Sequence, residues 1–305
     1  MSLPVPDRPR RLVYLGTPEL AVAPLRALVA AGHPVPLVVS APDRRRGRGG
    51  GLMPSPVKAA ALELGLPVSD DPDAVLDAGA DLGVVVAYGR LLGPHLLERL
   101  PFVNLHVSLL PRWRGAAPIE RAVLAGDETT GVCLMAVEVG LDTGGVYAKA
   151  ATDVDRKTVA ALRTELIDTG TELLLEALAD GFGTPEPQVG EVTYAEKLTA
   201  DEFEVDWSGA ATDVDRRVRV GGAWTTVEGK RLKLHAVEPL DPDAGTQDHV
   251  GAADGTEQPG DLRGLDVRCG SGWVRLAEVQ PEGRATMAAS AWRNGAGAAA
   301  RRLGT

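Results

Sequence analysis

The stretch LGVVVAY (82–88) constrains the fold of this chain more than any other segment. A nearly continuous apolar run of this length is typical of a strand that is covered on both faces, and such strands belong to parallel sheets flanked by helices. Strand and helix patterns alternate around it, with strands predicted at 11–16, 36–40 and 131–137 and a long helix at 158–181. The sequence therefore predicts an α/β fold with a doubly wound, mostly parallel sheet.

The character of the sequence changes after Gly181. Residues 182–205 show little periodicity and are interpreted as a linker. From Asp206 onward, short strand patterns are separated by Gly, Pro and Asp, which predicts a small all-β domain in the form of a barrel. Residues 241–261 are predicted to form a variable loop within it. The expected organisation is an α/β domain at 1–181, the linker, and a β domain at 206–305.

Composition narrows the class of protein. No apolar run approaches the ~18 residues that a membrane span needs, and the N-terminus MSLPVPDRPRR lacks the apolar segment of a signal peptide. We therefore expect a cytoplasmic protein without membrane association. Cys133 and Cys269 lie far apart and outside any CxxC pair, which argues against structural zinc or a disulfide framework. The net charge of −10 disfavours nucleic-acid binding except through local basic clusters.

The segment VNLHV (103–107) ends a predicted strand with two polar side chains. Asn104 and His106 alternate with apolar residues, so period-2 geometry directs both to the same face. In an open parallel sheet, ligands bind beyond the carboxyl ends of the strands. The pair is therefore expected to face that crevice.

Asp142 lies in a glycine-flanked turn, GLDTGG (140–145), just after the following strand. A carboxylate there is within reach of an imidazole on the neighbouring strand and would orient its ring. An amide beside that imidazole supplies the hydrogen bond that the oxygen of a tetrahedral intermediate requires in acyl transfer. The spacing alone equally allows a core histidine and ordinary turn residues. The first strand–helix turn, LGTPELA (15–21), has one glycine where a dinucleotide fingerprint needs three, so NAD or FAD binding is not supported.

Longer motifs carry more information than the spacing. NLHVSLLPRWRGAAPI (104–119) together with GLDTGG resembles the signature of the folate-dependent formyltransferases. Segments 41–68, 84–92 and 192–198 resemble, within that group, the enzymes that act on methionyl-tRNA, and the resemblance extends over nearly the whole chain. It implies a Rossmann-like catalytic domain at 1–181, followed by an OB-like β-barrel that binds tRNA.

The resemblance also implies roles for individual residues. The reaction would transfer the formyl group of 10-formyltetrahydrofolate to the α-amine of initiator methionyl-tRNA, for translation initiation, and it would need no metal. Asn104, His106 and Asp142 match the family's catalytic residues. The stretch assigned to tetrahydrofolate binding matches Ser108, Leu109, Leu110 and Pro111.

Two basic stretches are candidates for the tRNA interface. RRRGR (44–48) lies in a glycine-rich loop, which in this family reaches the acceptor stem. Residues 215–235 contain six Lys or Arg against Asp215 and Glu228, a net charge of +4 within an acidic chain. The predicted tRNA-binding residues are Arg48, Lys197, Arg216, Arg217, Lys230 and Lys233.

Three alternatives remain. A formyltransferase acting on an amino sugar nucleotide would share the catalytic residues. A 10-formyltetrahydrofolate hydrolase would need no basic C-terminal domain, and a non-catalytic tRNA-binding homologue would be expected to lose one of the three catalytic residues. The segment before GAWT (222–225) is several residues shorter than is usual in the family, which affects the domain junction and not the catalytic residues. No obligatory protein partner is evident.

Overall fold

In a computed structural model, the central strand expected at 82–88 forms at Leu82–Val86. The structure describes residues 3–45, 50–240, 257–295 and 297–305. Arg48 and most of the loop predicted at 241–261 lie outside the described residues. The chain divides into two compact units. The first unit comprises Met1–Ile119, Glu128–Asp155 and Ala161–Glu196. The second unit comprises Glu120–Asp127, Arg156–Ala160 and Lys197–Thr305. The functional division at 1–181, 182–205 and 206–305 stays a prediction.

The strands of the first unit are β1 (Leu12–Gly16), β2 (Leu37–Val39), β3 (Arg44–Arg45), β4 (Leu52–Met53), β5 (Val68–Ser69), β6 (Leu82–Val86), β7 (Phe102–His106), β8 (Arg114–Gly115), β9 (Thr129–Ala136), β10 (Val146–Asp153) and β11 (Tyr194–Ala195). A seven-stranded sheet has the order β10-β9-β7-β6-β1-β2-β5. Neighbours from β7 to β5 in this order pair in parallel, whereas β9 runs antiparallel to both β7 and β10. Two short two-stranded pairings, β3 with β4 and β8 with β11, lie outside this sheet. The predicted mostly parallel α/β sheet is thereby confirmed.

Helices cover both faces of this sheet. On β1, Tyr14 belongs to one buried cluster together with Leu174, whereas Leu15 belongs to a second buried cluster together with Leu96. This two-sided burial explains why the strand sequences are continuously apolar. Among the described ranges, none of the helices combines the length and the apolar character that crossing a membrane requires. The helices to this point in the chain are α1 (Val22–Ala30), α2 (Pro56–Glu63), α3 (Pro94–Leu97), α4 (Pro118–Ala125) and α5 (Val159–Asp180).

The elements of the second unit are α6 (Ala211–Val220), β12 (Trp224–Val227), β13 (Lys230–Leu240), β14 (Leu262–Arg263), β15 (Asp266–Arg268), β16 (Trp273–Pro281), β17 (Met287–Ala288) and α7 (Ala289–Asn294). Its strands form an antiparallel sheet in the order β12-β13-β16-β15-β14, with β17 paired to β16. The core includes Trp207, Leu232, Leu234 and Leu276, all buried. The predicted C-terminal β domain is confirmed in this form.

Helix α6 was not anticipated, because the pattern of short apolar segments from Asp206 onward favoured strands. Its sequence, ATDVDRRVRV, buries Ala211, Val214 and Val218, which are three and four residues apart and therefore share one helical face. The β-branched valines and the charged residues between them mask this spacing. The helix is stabilised by packing of this apolar face into the core of the second unit.

Candidate active site

Strand β7 carries an amide and an imidazole towards its carboxyl end, and ligands of α/β folds bind beyond the carboxyl ends of the strands. Val103 and Leu105 are buried in the core on one face, so Asn104 and His106 leave from the opposite face. The strand lies between parallel β6 and antiparallel β9. The alternation of the sequence, fixed in place by these two neighbours, brings the two polar side chains to the same face.

His106 has a defined tautomer. Its Nε2 lies 2.9 Å from the backbone oxygen of Trp113, and because a carbonyl oxygen only accepts, Nε2 carries a proton and donates it. Its Nδ1 faces Oδ2 of Asp142 at 3.6 Å, which is longer than a hydrogen bond. Nδ1 is therefore the nitrogen that can exchange a proton, next to a carboxylate that stabilises the protonated ring. The ring itself is buried, with 6% of the side chain exposed.

Asp142 is fixed in a tight turn after β9. Its φ of +51° is left-handed, a conformation that costs a non-glycine residue roughly 1–2 kcal/mol. Its Oδ2 accepts a hydrogen bond of 2.8 Å from the backbone N–H of Gly115. Gly144 is required two residues later, because a Cβ there would collide with the carbonyl oxygen of Ala136. Contacts from outside the turn thus hold the carboxylate beside His106.

The carboxamide of Asn104 is available for a ligand. The side chain is partly exposed, and within the described part of the chain it takes part in no hydrogen bond. An amide N–H that is already oriented by a buried strand is the kind of donor that stabilises a developing oxyanion. Three groups suited to acyl transfer therefore share one region: an open donor, a ring nitrogen that exchanges protons, and a fixed carboxylate.

The stretch predicted to bind folate turns most of its side chains into the protein. Ser108 is fully buried, and its hydroxyl donates to the backbone oxygen of Arg112 at 2.6 Å. Leu110 packs with Cys133 and Met135, and Pro111 is also buried. Leu109 is only partly buried. Folate binding by this stretch stays a prediction, and these positions favour contact through the backbone over contact through the side chains.

The predicted tRNA-binding residues on β13 are exposed. Leu232 and Leu234 point into the core, whereas Lys230 and Lys233 point to solvent. Arg231, also exposed, stacks its guanidinium 4.0 Å from the ring centroid of Trp224 on the adjacent strand. Arg231 and Lys233 therefore lie on the same solvent-facing side of the strand with an aromatic ring beside them, and Lys230 is exposed at the first residue of the strand. Accessible cations next to an aromatic ring are what single-stranded or phosphate-bearing ligands require.

The other predicted tRNA-binding residues differ in accessibility. Lys197 is exposed. On α6, Arg216 pairs with Asp213 at 3.2 Å, and Arg217 turns back to donate to the backbone oxygen of Glu204 at 2.9 Å. Arg48 lies outside the described residues. The basic stretch 215–235 thus separates into partly internal arginines on α6 and outward-facing cations on β13.

The cysteine on β9, Cys133, is paired in register with His106 across the two strands. Burial raises the pKa of its thiol, and a backbone hydrogen bond from Leu110 offsets this only in part. The thiol therefore stays neutral and serves as packing for the histidine strand. Over residues 3–45, 50–240, 257–295 and 297–305, no three or more His, Cys, Asp or Glu side chains are grouped so as to hold a metal ion.

Sequence reasoning missed the residues that hold the catalytic candidates in place. Gln188 donates from Nε2 to the backbone oxygens of Asp142 and Gly144, both at 2.8 Å. Thr193 accepts through its hydroxyl oxygen from the N–H of Trp113 at 2.9 Å. Both residues lie in the stretch interpreted as a linker. The similarity of 192–198 to a known family marked the segment of Thr193 without indicating a role, and no sequence signal covered Gln188.

Comparison with known proteins identifies the family. The protein-family model described as "Formyl transferase" matches residues 10–178. A second family model, described as "Formyl transferase, C-terminal domain", matches residues 197–297. A protein of Methylococcus capsulatus named methionyl-tRNA formyltransferase is 43% identical over 318 aligned residues, which cover 97% of this chain and 100% of the relative.

Solved structures share the fold at low sequence identity. HypX from Aquifex aeolicus in complex with tetrahydrofolic acid superposes with a TM-score of 0.64 at 19% identity, covering 95% of this chain and 47% of that one. Methionyl-tRNA formyltransferase from Clostridium thermocellum superposes with a TM-score of 0.55 at 14% identity, covering 75% of this chain and 93% of that one. The chain belongs to the formyl transferase family, in the group whose members are named methionyl-tRNA formyltransferase.

Proposed function

We propose that this protein transfers the formyl group of 10-formyltetrahydrofolate to the α-amine of initiator methionyl-tRNA. The observation that carries the proposal is the convergence of an unengaged Asn104 amide, a His106 ring with Nε2 already donating, and a fixed Asp142 carboxylate. The 43% identical relative is named methionyl-tRNA formyltransferase, which supports methionyl-tRNA as the acceptor. The tetrahydrofolic acid in the complex of HypX, a protein of similar fold, supports the donor.

The chemistry follows from the state of each group. The α-amine attacks the formyl carbon on N10, forming a C–N bond and a tetrahedral intermediate whose oxygen becomes negative. Asn104 donates a hydrogen bond to that oxygen. Nδ1 of His106 accepts the proton released by the amine and delivers it to N10, whose bond to the carbon then breaks. Asp142 stabilises the protonated ring between these two transfers, and tetrahydrofolate leaves with the proton.

The remaining assignments belong to the same proposal. Ser108, Leu109, Leu110 and Pro111 would contribute to the folate site. Arg48, Lys197, Arg216, Arg217, Lys230 and Lys233 would contact tRNA, and the exposed lysines of β13 have the best-supported positions. Protein synthesis takes place in the cytoplasm, which is where we place the enzyme. The mechanism uses neither a metal nor an obligatory protein partner.

Turnover of the purified chain tests the proposal directly. With 10-formyltetrahydrofolate and methionyl-tRNA, we expect formylmethionyl-tRNA and tetrahydrofolate in equal amounts, and His106→Asn should abolish both. The matched assays omit the tRNA or replace it with an amino sugar nucleotide. Release of formate without an acceptor would indicate a hydrolase, transfer only to the sugar would indicate the other acceptor class, and either result would overturn the proposal.

A further inference from the structure

Gln188 makes as many hydrogen bonds as a carboxamide allows. Its two N–H groups donate to the backbone oxygens of Asp142 and Gly144, each at 2.8 Å. Its Oε1 accepts from Nε and Nη2 of Arg114 at 3.2 and 2.7 Å. Rotating the amide by 180° would set oxygen against two carbonyl oxygens and N–H against a guanidinium, so the network fixes its orientation. The side chain thus joins two backbone oxygens of the Asp142 turn to Arg114.

Strand β8, which carries Arg114, is in contact with both titratable residues of the site. The backbone oxygen of Trp113, the residue before the strand, accepts a hydrogen bond from Nε2 of His106. Gly115, the second strand residue, donates its N–H to Oδ2 of Asp142. The strand is itself anchored by its parallel pairing with Tyr194–Ala195 of β11. One short segment therefore sets the positions of the imidazole, of the carboxylate and, through Gln188, of the backbone that carries the carboxylate.

From this arrangement we infer that Gln188 and Arg114 are positioning residues for the Asp142–His106 pair. The inference rests on the proposed function, because it assigns the pair a task in proton transfer. The left-handed backbone of Asp142 needs support from outside the turn, and the Gln188 amide supplies it at the residue's own carbonyl oxygen. This support sets the distance of 3.6 Å between Nδ1 of His106 and Oδ2 of Asp142. The segment expected to be a linker thereby becomes part of the active-site scaffold.

Three variants separate positioning from general stability. Gln188→Glu keeps the shape and the acceptor for Arg114 but removes both N–H donors to the turn. Gln188→Ala removes the whole bridge. Val189→Ala is the matched control, since Val189 is the next residue of the chain and is 87% exposed. We expect kcat to fall roughly 10- to 100-fold in both Gln188 variants, the scale of a misplaced catalytic group, with the KM for the folate within about twofold and Val189→Ala equal to wild type.

A double-mutant cycle with Asp142→Asn shows whether Gln188 acts through Asp142. If it does, Gln188→Glu should lower kcat by less than about threefold once Asp142 is already an amide, because coupled sites are not additive. An equal loss in both backgrounds would show that Gln188 acts independently of Asp142, and an unchanged kcat in the wild-type background would show that it does not act at all. Either result overturns the inference.

A spectroscopic measurement keeps this inference separate from the proposed reaction. In protein labelled with ¹⁵N-histidine, the His106 ring signals are identified by their loss in His106→Asn. We expect the Nδ1 resonance to move in Gln188→Glu and to remain in place in Val189→Ala, whether or not methionyl-tRNA is the acceptor. An unmoved Nδ1 resonance in Gln188→Glu would refute the positioning role, whereas absent turnover in the wild type would refute only the proposed function.

Discussion

Strands β7 and β13 both carry polar residues in alternation with apolar ones, but they place them in opposite surroundings. His106 on β7 is buried and has a hydrogen-bond partner, whereas Lys230 and Lys233 on β13 are solvated. A buried polar group is costly unless its partners are in place, while an exposed charge costs nothing and acts through the field it adds to its neighbours. The exposed charges of β13 should therefore have small, cumulative effects. On β7 each polar side chain has a separate task in the proposed reaction, so single substitutions there should have large effects.

The largest effect is expected at Asn104. We predict that Asn104→Ala lowers kcat by roughly 10²- to 10³-fold, the usual loss when one oxyanion donor is removed. Because the amide has no hydrogen bond to the rest of the described protein, the melting temperature should be nearly unchanged. Steady-state kinetics with methionyl-tRNA, alongside thermal unfolding, measure both quantities. Turnover close to that of wild type would remove Asn104 from the mechanism and erase half of the contrast between the two strands.

Asp142→Asn should have the next largest effect. The amide oxygen can still accept from the Gly115 N–H, so the turn should survive, but the negative charge that stabilises a protonated imidazole is lost. We expect kcat to fall by about 10²-fold, the lower range for lost assistance to proton transfer. The check is the pH–rate profile, which should change in shape as well as in height. A profile that overlays that of wild type would make Asp142 an ordinary turn residue.

Arg48 extends the comparison to a basic residue outside the described range. If this arginine contacts the acceptor stem, Arg48→Ala should lower kcat/KM for methionyl-tRNA about tenfold, and the salt dependence of tRNA binding should become shallower by about 0.9 or less in slope for one lost phosphate contact. The KM for the folate serves as the internal control and should not change. Equal kcat/KM values for variant and wild type would leave the loop without a role in tRNA binding.

The two parts of the basic stretch should respond differently to loss of charge. Replacing Lys230 and Lys233 together by Gln should weaken tRNA binding severalfold and flatten its salt dependence, with stability within about 0.5 kcal/mol of wild type. Arg217→Gln should instead lower stability by about 0.5–1 kcal/mol, because the partly buried guanidinium loses its hydrogen bond to the exposed backbone oxygen of Glu204. Filter binding at two salt concentrations and urea unfolding separate the outcomes. The reverse pattern would show that α6, and not β13, faces the tRNA.

The smallest effect is expected at the cysteines. Burial raises the pKa of Cys133, and raises that of Cys269 to about 11, so both thiols form the reactive thiolate less readily than an exposed cysteine does. Because a raised pKa delays ionisation, labelling by iodoacetamide should stay negligible near neutral pH and appear only on unfolding. Mass spectrometry of native and urea-treated protein measures this. Rapid labelling of native Cys133 would mean that the sheet beside His106 opens to solvent.

Much of the first unit could be predicted because its signals are local. Alternation over five residues determined that Asn104 and His106 share a face, since successive side chains of any strand point to opposite sides. The glycines around Asp142 indicated a turn, and the structure has a turn there in which Asp142 itself adopts a left-handed φ of +51°. Helix α6 escaped prediction for the opposite reason, because its apolar positions are too few to distinguish a helix from short strands without the core that they enter.

By itself, the sequence determined the α/β pattern, the motif that carries the amide and the imidazole, and the family of the chain. Only the tertiary structure showed that Gln188 binds the turn of Asp142, that Arg114 orients Gln188, and that Arg217 is engaged by Glu204. Arg114 and Gln188 are 74 residues apart, and contacts at such a separation leave no periodic trace in the sequence. They form because folding of the whole domain offsets the entropy that is lost when the chain between them is closed. A stretch without a local sequence pattern can for this reason hold a catalytic pair in place.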